Sequence, residues 1–131
     1  MMGFMIHSTD DGRVPATEYL PAGAITPKAG MALNQADGLL AAAGAGAPSY
    51  ICMADRADAC GAGEYIPVVR VSGDIIFETA FTADAGTVKL GDKVAISADG
   101  LGVTGVTEGG AAEVVYMDGT EAGSMCRVRF H

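Results

Sequence analysis

The sequence predicts an all-β domain, folded as a small compact barrel or sandwich of short strands. Nineteen glycines in 131 residues, without a collagen period or a Gly-Ser linker, indicate many turns. Short apolar, β-branched segments recur every eight to twelve residues or so with turn signals between them, which is typical of sandwiches and barrels. A series of landmarks also occurs twice in the same order, which predicts an internal duplication of one β unit.

The two copies are aligned by short motifs. Lys28-Ala29-Gly30, Asp37-Gly38 and Ala62-Gly63 in the first copy correspond to Lys89-Leu90-Gly91, Asp99-Gly100 and Ala122-Gly123 in the second. We therefore predict repeat units at approximately residues 18–71 and 79–130 within a single β domain, residues 18–131. A chance match between Gly- and Ala-rich segments is the alternative interpretation.

Residues 1–17 lie outside the duplication and carry no hydrophobic periodicity. Pro15 biases Val14 towards an extended backbone, and we expect an extended N-terminal arm that lies on this protein or on another. An ordinary first edge strand and a frayed terminus are equally open alternatives.

The first unit begins with residues 18–30, where Pro21 and Pro27 predict a loop or irregular edge. Asp37-Gly38 predicts a type I′ hairpin between segments 31–33 and 39–43, because both central residues of that turn need positive φ. Residues 43–48 are predicted as a loop, 49–53 and 64–71 as strands, and 54–63 as a loop with room for one helical turn.

The second unit follows a turn at residues 72–74. Ile75, Phe77 and Phe81 can share one face of a strand. Val94 and Ile96 alternate with smaller residues, residues 103–107 resemble a bulged strand around Gly105, and 114–117 form a short buried segment. The last strand alternates strictly, with three residues predicted inward (Cys126, Val128, Phe130) and two arginines outward (Arg127, Arg129).

Composition excludes several classes of function. The formal net charge of −8 disfavours binding to nucleic acids and to anionic membranes. The apolar N-terminus is too short for a signal sequence and no segment is long enough to span a bilayer, so we expect no membrane segment and synthesis in the cytoplasm.

No arrangement of reactive residues predicts an active site. Cys52, Cys60 and Cys126 have no metal-ligand spacing and are expected to be buried, reduced thiols. His7 and His131 have no ligand partners nearby in sequence, and Asp55 and Asp58 lack the pattern of a calcium loop. Lys28 and Lys89 each precede a glycine that opens a strand, which is unlike a carrier lysine. We therefore expect no catalytic residue, metal or cofactor.

The segments that carry the turn motifs resemble small head decoration proteins of tailed phages. These are Tyr19-Leu20-Pro21-Ala22-Gly23, residues 28–39, Pro48 to Met53, Ile66 to Val71 and the matching C-terminal pattern from Lys89 to Phe130. The resemblance implies a non-catalytic capsid-stabilising protein on the outer surface of the virion, a homotrimer whose partner is the major capsid protein. Many weak contacts across the capsid lattice would add through multivalency.

On this interpretation the arm contacts the shell through Phe4, Ile6 and Val14, with Tyr19 beside it, and can add a strand to an exposed edge. Deleting residues 1–17 is then expected to abolish head binding and leave the fold intact. A shell-forming subunit and a ligand- or glycan-binding β module are alternatives from other classes. A small enzyme that uses Cys52 or Cys60 is a further alternative.

Overall fold

The computed structural model describes residues 3–44 and 46–130 and shows an all-β protein with two five-stranded sheets. The described residues contain no helix, and thus none long and apolar enough to cross a membrane. The strands are β1 (Met5–Thr9), β2 (Thr17–Ala22), β3 (Ala32–Ala36), β4 (Leu39–Ala42), β5 (Tyr50–Cys52), β6 (Glu64–Arg70), β7 (Ile75–Ala80), β8 (Lys93–Val94), β9 (Ala112–Met117) and β10 (Met125–Phe130). Met1 and Met2 of the predicted arm, Ala45 of the predicted loop and the terminal His131 lie outside the described residues.

Residues 17–70 form a closed barrel, the first barrel, with the strand order β2-β4-β3-β5-β6. It closes because β6 pairs antiparallel with all six residues of β2. Among the described residues of this barrel, the only parallel contact joins Ala22 to Leu40. The predicted hairpin is confirmed: β3 and β4 are joined by Asp37 at φ 53° and Gly38 at φ 79°, the positive values that a type I′ turn requires.

Residues 75–130 contain the predicted second repeat, residues 79–130, and are called the second unit from here on. They form a sheet in the order β7-β10-β9-β8, to which β1 adds at the outer side of β7. The segment between β8 and β9 makes two isolated bridges. Val103 pairs with Phe81, which directly follows β7, and with Ile96 of the same segment. The bulged strand predicted at residues 103–107 is formed only in part. Val103 makes both bridges, the Thr104 N–H donates to the Ala95 carbonyl at 2.8 Å and the Ala95 N–H donates to the Val106 carbonyl at 2.9 Å, but no regular strand results. Gly105 instead lies against Ala85, where a Cβ would come within 2.9 Å of the Ala85 Cα.

Main-chain hydrogen bonds recur at matched positions of the two halves. Gly30 donates to the Cys52 carbonyl at 2.7 Å, and Gly91 donates to the Val114 carbonyl at 2.8 Å. The parallel contact of Ala22 with Leu40 corresponds to that of Phe81 with Val103. Gly30 and Gly91 both have positive φ, as do Gly63 and Gly123. The halves share a hydrogen-bonding pattern, and their origin by duplication stays a prediction.

The segment predicted as an irregular edge, residues 18–30, begins with β2, a regular strand. Pro21 is tolerated there because the side of β2 that faces β4 is paired only at Ala22, so most of β2 behaves as an edge strand on that side. The prolines by themselves predict a break in a central strand, and only the barrel topology shows that one side of β2 is open.

Part of the predicted arm is built into the domain. β1 pairs with β7 from Met5 to Thr9, with a bulge between Ile6 and Ser8. From Met5 to Thr9 the structure therefore agrees with the alternative prediction, an ordinary first edge strand. Residues 10–16 are a connection that crosses from β1 to β2.

Two hydrophobic clusters fill the molecule. The smaller lies inside the first barrel, around Leu33, Leu40 and Val68. The larger includes the predicted inward residues of β7 and β10, but it also includes Ala32 and Ile51 of the first barrel. Because Ala32 and Ile51 belong to this cluster, the core of the second unit extends onto the outer wall of the first barrel.

Candidate functional site

The four residues expected to contact a partner are in different environments. Phe4 is only 2% exposed, and its ring meets that of Phe130 at 5.2 Å between centroids. Ile6 is half-buried against the larger cluster. Val14 is 89% exposed and Tyr19 is 64% exposed. Phe4 is thus a core residue and offers nothing to a partner, whereas Val14 and Tyr19 are available at the surface.

Tyr19 belongs to an apolar patch on the outside of the first barrel. It lies opposite Pro67 in the β2–β6 ladder, and Pro21 lies opposite Tyr65 two residues further on, so all four side chains share the outer face. Met53 adjoins them, since its N–H donates to the Pro67 carbonyl at 2.9 Å. Tyr65 is 65% exposed and Met53 is 48% exposed. We call these five residues (Tyr19, Pro21, Met53, Tyr65, Pro67) the apolar face.

The second unit has charged residues on the corresponding face. In its matching β7–β10 ladder, Glu78 takes the position of Tyr19 and Arg127 that of Pro67. Arg127 donates from Nε to Glu78 Oε2 at 3.2 Å and stacks at 4.4 Å over the ring of Tyr116. A ladder of this kind therefore folds with charges on its outer face. The positions that match Pro21 and Tyr65 carry Ala80 and Met125. Stability therefore does not require apolar residues at the Tyr19–Pro67 pair, and the exposure of that pair points to binding.

At one end of these two ladders the difference is the opposite: the second unit is apolar there and the first barrel is charged. In the second unit, Phe77 and Phe130 lie 5.5 Å apart between ring centroids, and Phe4 covers them. The matched positions in the first barrel are Glu18 and Arg70, which form a two-pronged ion pair at 3.0 and 3.1 Å. This ion pair raises the pKa of Arg70. The first barrel therefore has a solvated, polar end beside its apolar outer face.

Two clefts flank these features. A polar cleft of about 280 Å³ lies at the end of the first barrel, where Arg13 and Arg70 face Asp11, Glu18 and Asp74. Its opposite charges compensate each other. A larger groove of about 460 Å³ separates the start of β1 from β5 and β6, and its lining is apolar, with Ile51 and Val69 on one wall and Met5 and Met53 near the rim. Met53 belongs to both the groove and the apolar face, so the two surfaces are continuous.

The cysteines are free and buried, as expected. Burial raises the pKa of Cys126 to about 12, and burial is also the main cause of the raised pKa of Cys52. Cys60 accepts a hydrogen bond from Arg56 at 3.7 Å. His7 lies beside Ser8 on β1, and no hydrogen bond joins it to a cysteine within residues 3–44 and 46–130. In those residues, histidine, cysteine and carboxylate side chains form no group of three able to hold a metal ion.

Comparison with known proteins adds no relative. No protein-family model matches the chain, and no curated protein matches it. The features on which a function can be based are therefore the apolar face, the groove and the distribution of charge.

The sequence contains a local signal for part of the apolar face. Sequence analysis predicts Tyr19 as a contact residue but does not group Tyr65, Met53, Pro21 and Pro67 with it. Alternation along residues 64–70 places Tyr65 and Pro67 on one side, opposite Ile66 and Val68. What the sequence could not show is that β2 and β6 are neighbours, which brings Tyr19 and Tyr65 together.

Proposed function

We propose that this protein is a non-catalytic structural protein of a phage virion, which binds the outside of the capsid lattice and stabilises it. The observation that carries the proposal is the apolar face of the first barrel, set against the charged face at the matched positions of the second unit. Exposed tyrosines and methionine are the residue types that protein interfaces favour, and the buried centre of such interfaces is depleted in charge. The resemblance to phage head decoration proteins supplies the kind of partner, the major capsid protein.

The distribution of charge supports a protein partner rather than a nucleic acid. The net charge of −8 opposes contact with packaged DNA and with anionic surfaces. It also limits association between copies that are not held by a specific interface. In a lattice, many copies bind side by side, so a modest affinity per copy is enough for stable coating. The homotrimer implied by the resemblance belongs to the same proposal, and sedimentation equilibrium measures it.

The test replaces two residues of the apolar face by their counterparts in the second unit, Tyr19→Glu together with Pro67→Arg. We expect the variant to fold, because Glu78 and Arg127 occupy the same ladder positions in the second unit. Binding to heads assembled from the major capsid protein of the same phage is expected to weaken about thirtyfold or more, the effect of losing an interface hot spot. Co-sedimentation with DNA-free heads measures the binding, and circular dichroism checks the fold.

The matched control is Leu90→Glu, which places a charge on an exposed apolar residue of the second unit. This control is expected to bind heads like the wild-type protein. If the folded double variant also binds heads normally, or if the wild-type protein does not bind them at any salt concentration, the proposed function is wrong. Deleting residues 1–17 is not a suitable test, since it removes β1 and the first residue of β2.

A further inference from the structure

We propose that the apolar groove beside β1 is a strand-addition site: an extended segment of the partner protein pairs with the free edge of β1 and places alternate apolar side chains in the groove. The segment is flanked by lysine or arginine. This inference deepens the proposed function and rests on it, because it takes the partner to be the protein that covers the adjoining apolar face.

The edge of β1 is open for pairing. β1 is the terminal strand of its sheet and pairs with β7 on one side. On the other side, no strand among the described residues pairs with Met5 to Thr9. Phe4, just before the strand, is already held by a hydrogen bond from its N–H to the Gly30 carbonyl at 2.8 Å. At the other end, the Thr9 carbonyl accepts a hydrogen bond from the Gly12 N–H at 3.2 Å, so the part of the edge open to pairing lies between these two contacts. A fixed strand with such an open edge is a template for another strand.

The groove beside this edge has the chemistry of a site for aliphatic side chains. Met5 and Met53 are exposed at its rim, while Ile51, Cys52 and Val69, each at most 1% exposed, lie beneath it on the side of the first barrel. None of the described residues that line it is charged. Successive residues of an added strand point to opposite sides, so every second residue would enter the groove. Methionine side chains adapt to differently shaped partners, which suits a rim that closes over such residues.

The surrounding charges favour basic residues at the flanks of the segment. The loop that follows Met53 carries Asp55 and Asp58, Glu64 opens β6 directly after it, and Arg56 is the only cation of the loop. Arg56 is already paired with Glu64. Lys28, which also lies near this loop, donates to the Arg56 carbonyl. With a net charge of −8 on the whole chain, an acidic segment is repelled and a basic one is attracted. The same charge disfavours a second copy of this chain as the occupant.

The direct test uses synthetic peptides with the full-length protein. The probe is a nine-residue peptide in which valine alternates with threonine between paired terminal lysines. One comparison peptide has glutamates in place of the lysines, and another has proline at two central positions. We expect the lysine peptide to bind and to slow hydrogen exchange of the β1 amides. The glutamate peptide is expected to bind about tenfold more weakly and the proline peptide not to bind, since it cannot form a ladder.

Variants locate the site. Met53→Glu is expected to weaken peptide binding about tenfold by placing a charge at the groove rim, whereas Val106→Glu, an equally simple change at an exposed residue of the second unit, is expected to leave it unchanged. The proposal is overturned if the lysine peptide does not bind at millimolar concentration, if it binds without protecting β1, or if the protein self-associates through this edge instead.

The two proposals fail differently. Head binding without added protection of the β1 amides would retain the proposed function and overturn the strand-addition site. Peptide binding with β1 protection, in a protein that does not bind heads, would retain the site and overturn the proposed function. Hydrogen exchange measured on both complexes separates these outcomes.

Discussion

Arg129 shows how one side chain joins distant parts of the chain. It extends from β10, donates to both carboxylate oxygens of Asp10 at 2.8 and 3.2 Å, and donates to the Gly73 carbonyl at 2.8 Å. Asp10 directly follows β1, so the pair fixes the end of that strand against the opposite end of the chain. The sequence predicted Arg129 to point outward, but it offered no partner for it.

This ion pair predicts a dependence of stability on pH. The hydrogen bond from Arg129 lowers the pKa of Asp10 below the ordinary value of 3.8 for an aspartate. A carboxylate with a depressed pKa in the folded state stabilises the fold above the pKa of the unfolded chain, and this stabilisation is lost as the pH falls through the folded-state pKa. We therefore expect Asp10→Asn to lower the melting temperature at pH 7 and to have little effect well below pH 3.8.

Thermal unfolding of both proteins between pH 2 and pH 7 measures this difference. Asp118→Asn, at an exposed aspartate of the second unit, is the control and is expected to follow the wild-type curve throughout. A constant difference between wild-type protein and Asp10→Asn at all pH values would contradict the assigned cause.

At the scale of elements, β1 is the strand whose role depends most on its neighbours. Its sequence has no clear alternation, because the bulge between Ile6 and Ser8 shifts the register by one residue. Met5 and Ile6 look equally suited to a free arm or to a strand. Pairing with β7 and the insertion of Phe4 between the units make it structural.

We expect Phe4→Ala to destabilise the protein by about 3–5 kcal/mol, the usual effect of removing a buried phenylalanine side chain. The ring is 2% exposed and contacts Phe130, so its loss leaves a cavity in the larger cluster. Urea denaturation measures the change. Val14→Ala, at a residue of the same predicted arm that is 89% exposed, is expected to change stability by less than about 0.5 kcal/mol. Equal effects of the two substitutions would show that Phe4 is not packed as described.

The turns show why similar motifs give different elements. Asp37 and Gly38 both have positive φ and close a two-residue hairpin. At the matching Asp99-Gly100, only Gly100 has positive φ, and its carbonyl accepts a hydrogen bond from Ala32 at 2.8 Å. Locally, Asp99 accepts hydrogen bonds from the Leu101 N–H and the Ser97 hydroxyl. The second turn therefore combines these local bonds with a contact to β3 of the first barrel, and local sequence does not encode that contact.

At the scale of the whole molecule, the two halves share a hydrogen-bonding pattern and differ in where they are apolar. The second unit is apolar at its covered end and charged on its outer face. The first barrel has an ion pair at its end and tyrosines on its outer face. As a result, the second unit contributes aromatic residues to the larger cluster, and the first barrel exposes the apolar face to solvent.

Because Ala32 and Ile51 of the first barrel belong to the larger cluster, we expect the protein to unfold in one cooperative transition. Calorimetric and van't Hoff enthalpies are expected to agree. The fragment of residues 72–130 is expected not to fold alone, since it lacks β1, Phe4 and the wall that the first barrel provides. Two separate thermal transitions in the intact protein, or a folded fragment, would show that the halves are independent.

The sequence by itself determined the all-β class, the Asp37-Gly38 hairpin, the inward and outward alternation of β7 and β10 and the burial of the three cysteines. Each of these depends on local backbone preference or on a period of two along one strand, which a single segment contains. Tertiary structure alone decided that β1 is an edge strand, that β2 is regular despite Pro21, and that Tyr19, Tyr65 and Met53 form one face beside an open groove. Those features depend on which strands become neighbours, and strand pairing joins residues that are far apart in the sequence.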